Sequence, residues 1–426
     1  MDKVGKKTIR EILLIGGSFR NKGAEAMVLS AVHQFSGIYP GCRLTVASYV
    51  KRESRAYGIY TTGLNSSSGS PATFELIRNT KKVSHPFKIF LWWLLPFSGI
   101  RDFLIRGDVY LERFLLADLV VDLSGFALTD RRSVLRRLVY CFEIFSSWCF
   151  GVPFVVFTQA LGPFRHPVSR LAARLFLPHV ALLIARGRVT ADYVARLGVV
   201  APDALPVCSD TAFLFEPAKE EKNIGLTLVR QAKASRKPLI GLIPNINIFR
   251  RMHPRNERSP YIKMLVGLCD YAQVYLDAHI VFICHEHYEY RRDDTWIVQK
   301  LRSQVSYPDA ITMIDGTQSA GVLKVITGEM DFVMVSRFHC LVAAISTATP
   351  FLALGWAHKY QELADDAGSE EWVIDFERCT SEDLRRAFAA AWNKREETRL
   401  HLEKKREYFR SSAAHAYQLI ADKWPP

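Results

Sequence analysis

The feature that most constrains this chain is an alternation, met twice, of short β-rich runs bounded by Gly or Pro with longer amphipathic stretches. That is the sequence form of βα units wound around a parallel sheet. The first set reads "EILLIGG" (11–17), "RLTVASY" (43–49), "DLVVDLSG" (118–125), "PFVVFTQ" (153–159) and "ALLIAR" (181–186). The second reads "PLIGLIPN" (238–245), "HIVFICHE" (279–286), "AITMID" (310–315), "DFVMVS" (331–336) and "PFLALG" (350–355). A chain of 426 residues exceeds what one core usually supports. The expectation is an α/β protein of two Rossmann-like domains facing a central cleft, residues 1–215 and 238–380, joined by a charged linker at 216–237. The tail, 381–426, is helical in pattern and is expected to pack back on the N-terminal domain.

A net charge of +13 implies attraction to something anionic: nucleic acid, a lipid surface or a phosphorylated substrate. Local clusters such as "DRRSVLRRL" (130–138) accompany no DNA- or RNA-binding signature, so nucleic acid is not expected as a partner. The eight cysteines form no CxxC pair and no zinc spacing, as in a reduced cytosolic protein. The start, "MDKVGKKTIREILLIGG", has a short apolar stretch and no small-residue cleavage site, which argues against export.

One segment stands outside the alternation: "HPFKIFLWWLLPFSGIRDFLIRG" (85–107). Its apolar centre is too short for a bilayer-spanning helix, which needs about 20 residues. The Trp92–Trp93 pair and the flanking Lys88, Arg101 and Arg106 suit an interfacial segment dipping into one leaflet. An insertion packing on its own domain or on a second copy would read the same way.

The chemistry-bearing residues gather at expected strand ends. "DFVMVSRFHCLVAAISTATPFLAL" interrupts an apolar run with Arg337 and His339, and Leu341, Ala344, Ile345 and Ala348 carry helical spacing. Ser336 to His339 therefore occupy a strand-to-helix turn, where helix N–H groups and the positive dipole end favour an anion. Arg337 suits a bidentate clamp on phosphate or carboxylate, and His339 suits proton transfer near neutral pH. Arg337 paired with a structural carboxylate is the alternative. Lys359, after the next strand, is expected to approach the same pocket.

"GGSFRNKGAEAMVLSAV" (16–32) is a turn entering a helix, neither a P-loop nor GxGxxG, and its Asn21, Lys22 and Glu25 read as a binding turn. Gln159 in "TQALGPF" and Arg186 in "LIARGRVTADYV" end two further strands. "CHEHYEYRRDD" (284–294) lacks HExxH spacing, and no metal site is expected from it; His285 and Glu286 are secondary candidates.

Taken in order, "NKGAEAM", "DLVVDLSG", "TQALGPF", "LLIARGRVTADYV", "SDTAF", "ICHEHYEYRRDD" and "SRFHCLVAAISTATPFLALGWAHKYQEL" resemble the polysaccharide pyruvyl transferase family, over about residues 11–365. The resemblance implies a GT-B-like architecture and transfer of the pyruvyl group of phosphoenolpyruvate onto sugar hydroxyls as a ketal, in exopolysaccharide or cell-envelope biosynthesis. It implies His339 as the catalytic residue, Arg337, Arg186, Lys359 and Ser336 around the anionic donor, and Asn21, Lys22, Glu25 and Gln159 towards the acceptor. "DLSGF" stands where the family usually has a run of glycines, and Gly187 follows Arg186 where an acidic residue is common.

Phosphoenolpyruvate is then a co-substrate, with no further cofactor. A lipid-linked saccharide acceptor would give the basic charge and the "FLWWLLPF" segment a common purpose on the inner face of the cytoplasmic membrane. Two other readings fit the same strand ends: a glycosyltransferase with a nucleotide-sugar donor, and a glycan-binding relative without turnover.

Overall fold

The computed structural model describes residues 8–48, 58–65, 71–78, 85–95, 98–200, 205–252, 259–287 and 292–426. These divide into two compact units. One holds residues up to 19, 27–214 and 412–426; the other holds 20–26 and 215–411.

The first unit is built on strands β1 (Glu11–Ile15), β2 (Arg43–Ser48), β3 (Gly58–Asn65), β4 (Pro71–Arg78), β5 (Leu119–Asp122), β6 (Phe154–Gln159) and β7 (Leu182–Ala185). Their order across the sheet is β3-β4-β2-β1-β5-β6-β7, parallel except for the β3–β4 hairpin at one edge. Without β3 this is the doubly wound order, with its switch point between β1 and β5. There Ile12 pairs with Leu44 on one side and Leu119 on the other.

The second unit carries β8 (Leu239–Ile243), β9 (His279–Ile283), β10 (Ile311–Ile314), β11 (Phe332–Val335), β12 (Phe351–Gly355) and β13 (Val373–Asp375). Its order, β10-β9-β8-β11-β12-β13, is parallel throughout and again doubly wound, with the switch point between β8 and β11. Strands β8, β9, β11 and β12 are buried along their whole length, as a sheet covered on both faces requires.

The ten expected strands all form, and three more join them at sheet edges. The β3–β4 hairpin lies outside the expected strands, and β13 has only three residues. The stretch 216–237 is no linker: Lys219–Ala234 is a helix of the second unit. Most of its charges face solvent, while Gly225, Val229 and Ala232 are buried on one face and Glu221 accepts from Ser319. A Cβ on Gly225 would lie 2.8 Å from Val325, which shows how closely this helix lies on Ala320–Gly328.

The tail forms helices Ser381–Asn393 and Arg395–Lys423. The former packs Phe388 on Phe332 in the second unit. The latter ends in the first unit, with Tyr417 against Phe35 and Phe157 at 5.1 and 4.7 Å between ring centroids. The expected return of the tail is therefore made by its last turns.

The segment 85–107 forms two short helices, His85–Leu94 and Ser98–Ile105. His85 is buried, bonded to the Asp108 carboxylate at 2.9 Å, and Ile89 joins the core. Among the described residues no helix is long and apolar enough to cross a membrane.

Candidate functional site

The second unit concentrates its polar side chains at the carboxyl ends of β8, β9, β11 and β12, around its switch point. Ser336 follows β11 and is buried. Its carbonyl accepts from Asn245 Nδ2 at 2.7 Å and from Tyr360 Oη at 3.2 Å, and its hydroxyl accepts from Tyr261 at 3.3 Å. One backbone residue thus ties the ends of three strands, which fixes where the next two side chains go.

Arg337 is the N-cap of helix Phe338–Thr347, with extended backbone. Its Nε and Nη2 each reach Asp294 at 2.6 Å, and Nη2 also reaches Glu286 at 2.7 Å. The guanidinium fork that the sequence reading offers to a donor anion is engaged by a structural carboxylate. The reason is geometric: the cap position faces the loop after β9 and the start of helix Asp294–Arg302. Burial opposes the charge on Arg337, but Asp294 and Glu286 outweigh it and raise its pKa well above the ordinary guanidinium value. Asp294 is fully buried and also accepts from the backbone N–H groups of Ile246 and Glu286, at 3.0 and 3.1 Å.

His285 and Glu286 stand on the loop after β9, which ends at Ile283, so the two do not continue the strand. Residues 288–291 of the same motif lie outside the described residues. His285 is buried, and its Nε2 has no hydrogen-bond partner among the described residues. Burial, together with the nearby Arg337, His339 and Lys22, lowers its pKa well below the ordinary value of 6.5 and holds the ring neutral.

This gives a pH signature. A depressed folded pKa means that the unfolded chain binds the proton more readily. The stabilisation is complete above the unfolded value near 6.5 and is lost as the pH falls from there towards the folded value. The loss runs at up to about 1.4 kcal/mol per pH unit. Melting temperatures of the wild type and His285→Gln, compared at neutral pH and in mild acid, are expected to show the steeper acid loss only in the wild type.

Residues 20–26 belong to this unit, not to the N-terminal domain of the sequence reading. Asn21 forms an isolated backbone bridge with Glu286, and the Lys22 N–H donates to the His285 carbonyl at 3.4 Å. The Asn21 side chain accepts from the Gly23 N–H at 3.0 Å, capping helix Lys22–Ile38, while Lys22 pairs with the buried Glu25 at 3.1 Å.

His339 is half-buried and lies against Gly23: a Cβ there would stand 2.0 Å from the imidazole Cγ. Gly23→Ala is therefore expected to displace His339 and to cost about 1–3 kcal/mol by overpacking, read as lost turnover together with a lower melting temperature. Lys359, buried after β12, sits 4.7 Å from the centroid of Phe338 and 5.2 Å from that of Trp356. These are cation–π distances, and they bring Lys359 beside the first residue of the His339 helix.

Arg186 and Gln159 belong to the first unit. Arg186 follows β7, is buried, pairs with Asp210 and donates to the Gly125 carbonyl at 2.8 Å. Gln159 Nε2 donates to the Asp122 carbonyl at 3.0 Å and also reaches its carboxylate. Burial raises the Asp122 pKa, against the hydrogen bonds from Ser124 and Gln159. Gly16, at φ +77°, permits this packing, because a Cβ there would lie 2.2 Å from Ser124 Oγ.

The structure thus brings Asn21, Lys22, His285, Glu286, Arg337 and His339 into one cluster, with Ser336 beneath it and Lys359 beside it. Sequence reasoning missed Asp294 and Gly23. The paired aspartates before an apolar-periodic stretch are an N-cap signal, but the residue that caps is Asp293, and no local pattern marks Asp294 as the partner of Arg337. For Gly23 no local signal exists.

No curated protein matches the sequence. Among solved structures, HepE of Anabaena, in complex with UDP and glucose, superposes with a TM-score of 0.56 at 12% identity, covering 97% of this chain and 99% of that one. The UDP-GlcNAc 2-epimerase of Neisseria meningitidis gives 0.53 at 10%, covering 97% and 99%. MnaA of S. aureus, solved with UDP, gives 0.57 at 12%, covering 92% and 90%. At these identities the likeness is one of fold, and the fold is the two-domain α/β architecture of GT-B proteins. The polysaccharide pyruvyl transferase model matches residues 21–358, from the Asn21 turn through the Arg337–His339 helix to the residue before Lys359. With that match spanning most of its length, the chain belongs to the polysaccharide pyruvyl transferase family.

Proposed function

We propose that this protein transfers the pyruvyl group of phosphoenolpyruvate onto two hydroxyls of a saccharide, forming a cyclic ketal and releasing phosphate. In that reaction the bond from C2 to the phosphate oxygen breaks and two bonds from C2 to sugar oxygens form. The methylene carbon gains a proton and becomes a methyl group. Of the two hydroxyl protons, one balances the new C–H bond and the other leaves with phosphate.

The observation that carries the reading is that His339, at a helix N-terminus, lies near a buried neutral imidazole, His285, whose Nε2 has no hydrogen-bond partner among the described residues. Two imidazoles beside cations and the positive end of a helix suit a reaction that moves protons on an anionic substrate. His339 is the proposed catalytic residue and His285 the second proton-transfer group. Lys22, Lys359 and the helix N-terminus are proposed to meet the donor's charges, and Arg337 to position the 285–286 loop while supplying a fixed positive field. Arg186 and Gln159 are proposed to shape the strand ends of the first unit.

The test is purified protein with phosphoenolpyruvate and a panel of free and lipid-linked saccharides, followed for phosphate and for pyruvylated product. Phosphoenolpyruvate is expected to raise the melting temperature, since it binds the native state. Stabilisation by a UDP-sugar and not by phosphoenolpyruvate would instead favour glycosyl transfer, and binding of glycan without phosphate release would favour a non-catalytic relative.

A further inference from the structure

The first unit carries an outward face that its own core does not explain. Helix Val134–Phe150 exposes Leu135 (72%), Leu138 and Trp148, with Phe142 and Phe145 half-buried between them, at spacings that form one stripe. On helix Pro167–Phe176, Val168, Leu171 (60%) and Leu175 form a second exposed stripe. Helix His85–Leu94 adds Phe87 (66%), Phe90, Trp93 and Leu94, and helix Ser98–Ile105 adds Phe103 (77%).

The helices are neighbours. Trp93 meets Trp148 at 5.5 Å between centroids, and the buried Arg137 of one long helix bonds Ser169 of the next. Soluble monomers rarely leave contiguous apolar faces of this extent uncovered.

The charge on this face selects its occupant. Arg106, Arg131, Arg136, Arg170 and Arg174 are exposed on or beside these helices. Helices His85–Leu94 and Pro167–Phe176 contain no acidic residue, Val134–Phe150 contains only Glu143, which is buried and bonded by Tyr110, and Ser98–Ile105 contains Asp102 next to Arg101. A second copy would set one cationic face against another. An anionic bilayer surface offers both an apolar interior for the stripes and negative headgroups for the arginines, and the tryptophans suit its interface.

We infer that these four helices form a docking face for an anionic lipid leaflet, on which the protein lies without spanning it. The inference extends the sequence expectation for 85–107 to three-dimensional neighbours far along the chain, and it does not rest on the proposed reaction.

Co-sedimentation of the full chain with vesicles of mixed phosphatidylglycerol and phosphatidylcholine, and with phosphatidylcholine alone, tests it. Binding is expected on the anionic vesicles, at least about tenfold weaker on the neutral ones, and weaker at high salt. Leu135→Ser/Leu171→Ser is expected to lower binding at least about tenfold with an unchanged melting temperature, because both side chains are exposed. Should that pair alter folding, Arg106→Glu/Arg136→Glu provides the second test and is expected to abolish binding with the apolar stripes intact. Equal binding to both vesicles, or none to either, overturns the inference. A concentration-dependent dimer that Leu135→Ser/Leu171→Ser converts to monomer also overturns it, in favour of a second copy.

Discussion

Replacing His339 by alanine or by asparagine is expected to lower turnover by about 10²–10⁴-fold, the usual contribution of a positioned acid or base. His339 is the second residue of helix Phe338–Thr347 and is half-buried against Gly23, and the Arg337–Asp294–Glu286 network closes without it. Both variants are therefore expected to keep the wild-type melting temperature and its increase with phosphoenolpyruvate, so that the loss falls on kcat. Near-wild-type turnover in both would assign His339 to packing and move the catalytic role to His285. Turnover is read as phosphate release under saturating donor.

Arg337→Ala is expected to act first on stability, by about 3–5 kcal/mol, because it leaves the Asp294 carboxylate buried without its counter-charge. The same change would remove the bond from Arg337 to the Glu286 side chain, while Asp294 still accepts from the Glu286 N–H. Arg337→Lys keeps the charge but cannot reproduce the two-pronged contact, and an intermediate loss is expected. In Arg337→Met/Asp294→Asn the unpaired charge is gone, so the double variant is expected to be less destabilised than the sum of the singles. Denaturant or thermal melts measure this. Wild-type stability in Arg337→Ala together with loss of phosphoenolpyruvate binding would return Arg337 to the donor-clamp role.

The contrast between Arg337 and His339 shows how far local pattern reaches. Both stand in one turn, and the apolar run around them made that turn plain. What Arg337 touches depends on Asp294, 43 residues earlier, and no spacing rule links the two. Asn21 and Lys22 likewise read as part of the first domain because they follow its first strand, yet their backbones pair with the 285–286 loop. The helix Lys219–Ala234 was misread for a different reason: its buried face is made of Gly, Val and Ala, too small to stand out among its charges.

The sequence by itself determined the two doubly wound units, their central strands and the strand-to-helix turn bearing Ser336, Arg337 and His339. Buried parallel strands and their crossover helices are written in local periodicity and in the glycines and prolines that bound them. Only the tertiary structure decided that residues 20–26 join the second unit, that Gly23 lies on His339, that Arg337 is paired with Asp294, and that His285 is held neutral. It alone assembled the exposed stripes of residues 87–103, 134–150 and 167–176 into one face. Each of these depends on which distant segments share a sheet edge or a helix neighbour, and hence on which charges lose their water and which partner they meet there. That is a property of strand order and packing, and no window of neighbouring residues contains it.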